Sequence, residues 1–374
     1  MKKVIIISPA YPLRGGIAES TELLYKEYVK KGINCQIISY KLQYPKILFP
    51  GKTQLVKNSK TEFLNITSKL SSVNPFSWYL TARYIISQKP DYVIFRFWNP
   101  FFSLCLGFVA FFLKKTKKVG WVDNVFPHKK VPFQKCLIHF FLKKMNYFIV
   151  MSESVKNDIG KFHIKVPISC SLHPVYNNFG NSISQHIARK NINISLNNRY
   201  ILFFGFIRRY KGLELLLESM SNQQIKDRNI KLIIAGEFYE NEKYYRKKIE
   251  DLNLLDSIHI YDHYINNNEV NNYFCASDLV VQPYLTATQS GISMIAFHFN
   301  KPVLATNVGG LSEYIKNGEN GYLVKPKPID ITNAIIDYFD NKRELDFVKK
   351  IKQTKEKYSW SKLLFSFEKI VDNN

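Results

Sequence analysis

Short apolar blocks alternate along this chain with longer stretches of helical period. Val4–Ser8 is an unbroken apolar run of the kind buried in a parallel sheet. A glycine turn follows at Gly15 and Gly16. Ile17–Lys31 then sets Leu23, Leu24 and Tyr28 on one helical face and meets Gly32 at its C-cap. Cys35–Tyr40 predicts the next strand. Lys41–Asn74, with prolines and glycine, predicts a long loop region. Trp78–Gln88 predicts a helix, and Tyr92–Phe95, Lys118–Val122 and Tyr147–Met151 predict strands with helices between them. Ser152 is the expected N-cap of the helix after the last of these. The longest apolar stretch, Phe101–Leu113, would reach about 20 Å as a helix, short of a ~30 Å hydrocarbon core, so a buried or interfacial helix is expected.

Pro174–Asn198 turns polar, rich in Asn and Ser, and predicts an interdomain linker. The alternation then restarts. Strands are expected at Tyr200–Phe204, Lys231–Ala235, Ile258–Tyr261, Leu279–Gln282 and Pro302–Thr306. Helices are expected at Leu213–Met220, Tyr244–Leu252, Val270–Ala276 and Gly291–Phe297. The end of the chain, Glu356–Val371, gathers Trp360, Leu363, Leu364, Phe367 and Ile370 on one helical face. Two strand–helix series predict two doubly wound, Rossmann-like α/β domains, with ligands at the carboxyl ends of the strands and the two domains facing a cleft. The expected division is residues 1–175, a linker at 176–198, a second domain at 199–355 and a terminal helix at 356–374.

Charge sharpens this picture. The 374 residues carry a net +23. Met1–Val175 holds 27 Lys and Arg against 8 Asp and Glu, a balance of +19, and the rest holds 26 against 22. Such an excess suits a polyanionic surface, nucleic acid or anionic lipid; a lysine-rich genome would give the same totals. No helix-turn-helix, zinc finger or RNP-like pattern accompanies it, so specific nucleic-acid binding is not expected. Trp98, Phe101, Phe102, Phe111 and Phe112 beside Lys114–Lys118 fit either a membrane interface or a core helix. The five cysteines are scattered without a CxxC pair, which fits a reducing compartment and excludes a disulfide framework. The apolar run Val4–Ile7 is too short for a secretory signal, so a cytoplasmic protein is expected.

Four strand ends carry candidate chemistry. Arg14-Gly15-Gly16 opens a helix, as a phosphate contact or as a tight turn. It is not GxGxxG, and Lys41 stands where a dinucleotide-binding acid would follow the second strand, which argues against a dehydrogenase. Gly205-Phe206-Ile207-Arg208-Arg209-Tyr210-Lys211-Gly212 clusters three cations after a strand, fit for a diphosphate or for a solvated turn. Thr288-Gln289-Ser290-Gly291 leads into a helix, as an anion site with Gln289 and Ser290 toward sugar hydroxyls, or as an ordinary cap. In Asn307–Glu313, Glu313 is placed either to accept from ribose or sugar hydroxyls or to stabilise a helix start. His128, with Asp123 as its rival, lies past a strand of the first half as a proton-transfer or sugar-contacting candidate or a structural residue. His163, His173 and His263 have no supporting pattern. No cluster has metal-ligand spacing, so no metal is expected.

At these residues the chain resembles the retaining glycosyltransferases of family four, of GT-B fold. The resemblance is strongest over Ile201–Leu217 and Leu279–Val324, in the runs FFGFIRRYKGLELLLES and KPVLATNVGGLSEYIKNGENGYLV. It implies a metal-independent hexosyltransferase that takes a nucleoside-diphosphate sugar, UDP- before GDP-, as co-substrate and uses no other cofactor. Arg208 and Lys211 would neutralise the diphosphate and His128 would sit near the donor sugar. Gly15 and Gly16 match the family's N-terminal glycine loop, and the terminal helix would cross back onto the first domain. Retention would follow from front-face attack, with the leaving phosphate helping to take the acceptor proton. Two departures mark a subgroup. Phe206 stands where the family has Arg after the strand-end glycine. The family's two donor-site glutamates, eight positions apart, fall on Thr288 and Ala296, or on Ala287 and Ile295.

The expected function is transfer of a sugar to a glycan or lipid-linked acceptor in envelope polysaccharide synthesis, peripheral on the inner face of the cell membrane. The alternatives are a GT-B nucleotide-sugar epimerase, which needs more acids at the strand ends of the first half than Asp123, and a non-catalytic polyanion-binding protein.

Overall fold

The computed structural model describes residues 2–49, 53–56, 64–127 and 133–373. The chain divides into two compact units. One comprises Met1–Pro174 with Ser359–Asn374, the other Val175–Tyr358.

The first unit runs β1 (Lys3–Ile7), α1 (Gly16–Lys30), β2 (Asn34–Leu42), β3 (Ile66–Ser71), α2 (Pro75–Gln88), β4 (Tyr92–Phe97), α3 (Ser103–Phe112), β5 (Lys117–Val122), α4 (Gln134–Leu142), β6 (Tyr147–Val150), α5 (Glu153–Gly160) and β7 (Ile168–Cys170). All seven strands are parallel in the order β3-β2-β1-β4-β5-β6-β7. Val4 to Ile7 are fully buried, as an inner parallel strand requires. Ser152 caps α5 as expected, its hydroxyl accepting the Val155 amide at 3.3 Å.

The second unit runs α6 (Gln185–Asn191), β8 (Arg199–Phe204), α7 (Leu213–Met220), α8 (Gln223–Asp227), β9 (Ile230–Ala235), α9 (Glu242–Asp251), β10 (Ile258–Tyr261), α10 (Val270–Ala276), β11 (Leu279–Gln282), α11 (Gly291–His298), β12 (Val303–Thr306), β13 (Gly321–Val324), α12 (Pro328–Asp340) and α13 (Glu344–Thr354). Its six parallel strands are ordered β10-β9-β8-β11-β12-β13. The order reverses beside β8, and such a switch point is where open α/β sheets bind ligands. The chain then returns to the first unit as α14 (Trp360–Asp372), which buries Trp360, Leu363, Leu364, Phe367, Ile370 and Val371 against α1 and β6.

The strands that the pattern missed, β3, β7 and β13, lie at sheet edges. An edge strand has one neighbour and a wetter surface, so it needs no apolar run; β3 reads ITSKLS. The polar segment 176–198 is not a linker. It belongs to the second unit and contains α6, packed on α10. Its polar groups are satisfied there: Arg189 donates to Ala276 O at 3.1 Å and Leu196 O at 2.6 Å and pairs with Asp278, which Gln185 also reaches.

Of the five aromatics expected together at an interface, Phe102 is fully buried, and Trp98, Phe101 and Phe112 pack on the core. Phe111 alone among them is exposed, at 46%. That stretch buries one face in the core and leaves Leu104, Phe108 and Phe111 exposed on the other.

Beneath α14 the first unit buries a charge pair. Arg96 on β4 and Asp123 after β5 are joined at 2.5 and 2.8 Å, with the guanidinium 3.3 Å from the centroid of the Trp121 ring. Phe367 of α14 meets that tryptophan edge-on at 5.6 Å. His173 lies nearby, its pKa pushed down to about 4 by burial and by the Arg96 charge, so it is neutral at physiological pH. Removing one partner of a buried pair strands the other. Asp123→Ala is therefore expected to cost about 3–5 kcal/mol in urea unfolding, while Arg96→Met with Asp123→Leu costs less than either single change.

Candidate functional site

The second unit gathers its candidate residues at the carboxyl ends of β8, β11 and β12. The chain leaves β8 through Gly205 at φ +91°, an angle that favours glycine. The glycine also makes room. A Cβ there would stand 2.9 Å from Lys211 Nζ and 3.4 Å from Ile292 Cδ1. The Lys211 ammonium thus lies over the Gly205 backbone, beside the first turn of α11.

Lys211 is 7% exposed. Its hydrogen bond is long, 3.4 Å to the Phe204 carbonyl, and no carboxylate pairs with it among the described residues. Burial first, then the charge of Arg208, pushes its pKa down to about 7. Arg208 is half-buried, with its guanidinium 4.9 Å from the Tyr239 ring centroid. Phe206 packs on the same ring at 4.3 Å and stacks on Tyr264 at 6.2 Å. The residue that departs from the family pattern therefore builds the aromatic support on which Arg208 rests. Arg209 takes no part. It is exposed, its amide donates to Glu240, and its side chain lines a separate hollow with Glu214 and Tyr244.

Three loops close around this point. The Leu285 amide donates to Tyr210 O at 2.7 Å, joining the loop after β11 to that after β8. The Thr306 hydroxyl donates to Tyr284 O. Gly309, at φ +54°, lies against Ala287 so closely that a Cβ would fall 1.4 Å from its carbonyl oxygen. Ser290 is buried, its hydroxyl bonded to Tyr284, and its side chain makes no capping bond to α11. The first amides of α11 thus lack a side-chain cap beside Lys211. Uncapped helix-start amides and a desolvated ammonium form a preorganised anion site. Glu313 is half-buried at the end of the turn Gly309–Glu313, a 3-10 helix, and is partnered, as is Gln289.

Other expectations fare differently. His128 lies outside the described residues. Asp123 is occupied by Arg96. His163 and His263 are exposed and His173 is buried. Gly15 opens α1 at φ +116° with open space around it, and α1 already bears Glu19 in its first turn, while the Glu22 carboxylate takes the Tyr11 amide at 2.7 Å. These carboxylates compete with a phosphate for the positive end of α1. Ala296 and Ile295 are buried apolar positions of α11. Sequence reasoning missed Ile292, the Phe206–Tyr239–Tyr264 group and Glu237, a buried acid following Gly236 at the end of β9. The glycine in AGEFYE was the available signal for Glu237 and Tyr239. No group of three potential metal ligands occurs among the described residues.

Residues 184–357, most of the second unit, match the family model described as glycosyl transferases group 1. The lipopolysaccharide 1,2-N-acetylglucosaminetransferase of Salmonella typhimurium is 28% identical over 200 residues, 50% of this chain and 52% of that protein. The matched stretches take in about half or less of these curated relatives' own length. Among solved structures, sucrose-phosphate synthase from Thermosynechococcus elongatus superposes with a TM-score of 0.78 at 14% identity, covering 100% of this chain and 99% of that one. Anabaena HepE in complex with UDP-glucose gives 0.74 at 12% identity, with both chains fully covered. The fold, two Rossmann-like parallel-sheet halves, is that of the GT-B glycosyltransferases.

A lysine whose pKa falls from its unfolded value to about 7 lowers stability in full below pH 7, and the loss shrinks to nothing as pH rises to the unfolded pKa. Stability should rise between pH 7 and pH 10, where the unfolded chain binds the extra proton. Lys211→Met is expected to raise the unfolding free energy by roughly 2–4 kcal/mol at pH 6 and by much less at pH 10, measured by urea titration.

Proposed function

We propose that this protein is a retaining glycosyltransferase. In this reading it moves a hexose from a nucleoside-diphosphate sugar, with UDP as the preferred carrier, to a glycan or lipid-linked acceptor of an envelope polysaccharide. The observation that carries the reading is the buried, uncompensated ammonium of Lys211 at the uncapped start of α11. As the bond from the sugar to the diphosphate breaks, negative charge gathers on the leaving oxygen. Lys211, Arg208 and the helix amides stabilise that charge more than the ground state's, which is what lowers a barrier. Two cations and a helix start supply what a divalent metal would, so the reaction is metal-independent.

The acceptor hydroxyl attacks from the face the diphosphate leaves, and its proton passes to a phosphate oxygen. Gln289, Ser290 and Glu313 receive the donor's hydroxyls in this reading. The family match over the second unit supports a glycosyl transfer, the Salmonella relative's name supports an envelope glycan, and the HepE complex supports UDP. No helix among the described residues is long and apolar enough to cross a membrane. The +19 first half supports attachment to the cytoplasmic face of a membrane.

Titration calorimetry with UDP tests the site. Arg208→Ala with Lys211→Ala should weaken binding by roughly 100-fold or more with the fold intact. An anion raises the pKa of Lys211, so affinity should fall as pH rises above about 7, with proton uptake on binding. Unchanged affinity in the double variant would place the phosphates elsewhere. A thermal-shift panel of UDP, GDP, ADP, CMP and NAD, with and without magnesium, should show a magnesium-independent shift with UDP; a shift with NAD alone would overturn the reading.

A further inference from the structure

The first unit holds a cavity of about 710 Å³ that the donor site does not use. Its walls are Phe126 after β5, Phe162 after α5, and Cys136, His139, Phe140 and Lys143 of α4 and the residue beyond it. The last four recur at i, i+3, i+4 and i+7, one face of a helix, while Ile138, Phe141 and Leu142 turn the other face into the core. The floor is aromatic. Phe126 stacks on Phe162 at 5.8 Å and His139 on Phe162 at 6.2 Å.

The rim is cationic. Lys135 and Lys143 are exposed, and Lys144 and Lys161 also line the opening. Lys144 Nζ lies 5.1 and 5.6 Å from the Phe111 and Phe140 ring centroids, and Lys161 Nζ lies 5.5 Å from that of Phe126. No carboxylate among the described residues lines the cavity. Asp158, paired with Lys161 at 2.6 Å, stands outside it.

The apolar surface continues past the rim. A Cβ at Gly107 would be 2.4 Å from the Phe140 ring, so the glycine gives that ring room against α3. On α3, Leu104, Phe108 and Phe111 are exposed at i, i+4 and i+7. On α2, Phe76 and Leu80 are exposed one turn apart, and Trp78 stacks on Phe108. A free phosphate would satisfy the lysines and leave these rings wet. Stacked bases would use the rings and leave the aliphatic leucines wet. A phosphate joined to hydrocarbon satisfies all three.

We propose that this cavity binds one anionic phospholipid of a membrane surface. The lysine rim holds the phosphate, the aromatic floor meets the first carbons of the chains, and the exposed faces of α2 and α3 rest in the interface. The inference rests on the membrane attachment proposed above, concerns the first unit, and is independent of the nucleotide site.

Cys136 provides a direct readout, since it is the one exposed thiol of the five cysteines. Its alkylation by a maleimide, followed by mass spectrometry, should slow at least tenfold with vesicles containing phosphatidylglycerol, and hardly at all with phosphatidylcholine vesicles or inorganic phosphate. In vesicle flotation, Lys135→Ala with Lys143→Ala should weaken binding roughly thirtyfold, at one near-surface charge's worth for each lysine. Lys30→Ala with Lys41→Ala, exposed lysines that line no part of the cavity, should weaken it less than threefold. Equal losses in the two pairs would mean diffuse charge attraction and would overturn the site. Protection by phosphatidylcholine alone, by inorganic phosphate, or by single-stranded RNA without phosphatidylglycerol would also overturn it. UDP affinity in both lysine pairs should match the parent, which keeps this test apart from that of the donor site.

Discussion

One ammonium group, that of Lys211, is taken out of water with no carboxylate among the described residues to balance it, and the ends of three strands are arranged around it. The cost of such a group is several kcal/mol, and it is met only if the surroundings cannot relax. Here they cannot. Gly205 admits the ammonium over its backbone, Gly309 closes on Ala287, and the Tyr210 and Leu285 backbones are bonded together. The lysine's depressed pKa and the uncapped start of α11 are two consequences of the same constraint. A site that holds unbalanced positive charge in place is prepared for an anion, and pays no reorganisation when negative charge develops there.

The first unit handles buried charge in the opposite way. Arg96 is paired with Asp123 by two hydrogen bonds, through Nε and one terminal nitrogen, and covered by Trp121 and α14. Both charges are compensated, so the pair is suited to fixing the position of the returning helix rather than to binding. Asp123 looks like a catalytic acid by its place after a strand, yet its lone pairs are committed to a guanidinium. Burial alone does not separate Lys211 from Arg96, since both are nearly inaccessible. The presence or absence of a partner does.

The positive charge of the first half is not a uniform coat. Lys117 Nζ is bonded to the Val371 carbonyl, Lys118 Nζ is turned inward onto the Leu113 carbonyl, and Lys2 and Lys31 pair with Asp372 and Glu368 of α14. The lysines around α4 stand instead over aromatic rings, where a cation keeps its attraction for an anion while its stem covers apolar surface.

Most of the architecture was legible along the chain, because inner strands of a parallel sheet must be apolar on both faces and therefore read as solid blocks. Leu213–Met220, Ile258–Tyr261, Val270–Ala276 and Leu279–Gln282 occupy the residues their patterns predicted. The strand-end glycines and the Arg208–Lys211 motif were legible for the same local reason, since turns and helix starts are short-range chemistry. What lay beyond the sequence was every property that depends on a partner far along the chain. Edge strands β3, β7 and β13 form because a neighbour offers its hydrogen bonds, and α6 forms because Asp278 and Ala276 satisfy Arg189. The three adjacent cations Arg208, Arg209 and Lys211 look alike in sequence. Burial over Gly205 desolvates only the last, Tyr239 supports the first, and Arg209 turns away. Spacing along the chain determined which groups were present; their desolvation and partners, which set charge and reactivity, were decided by the tertiary structure.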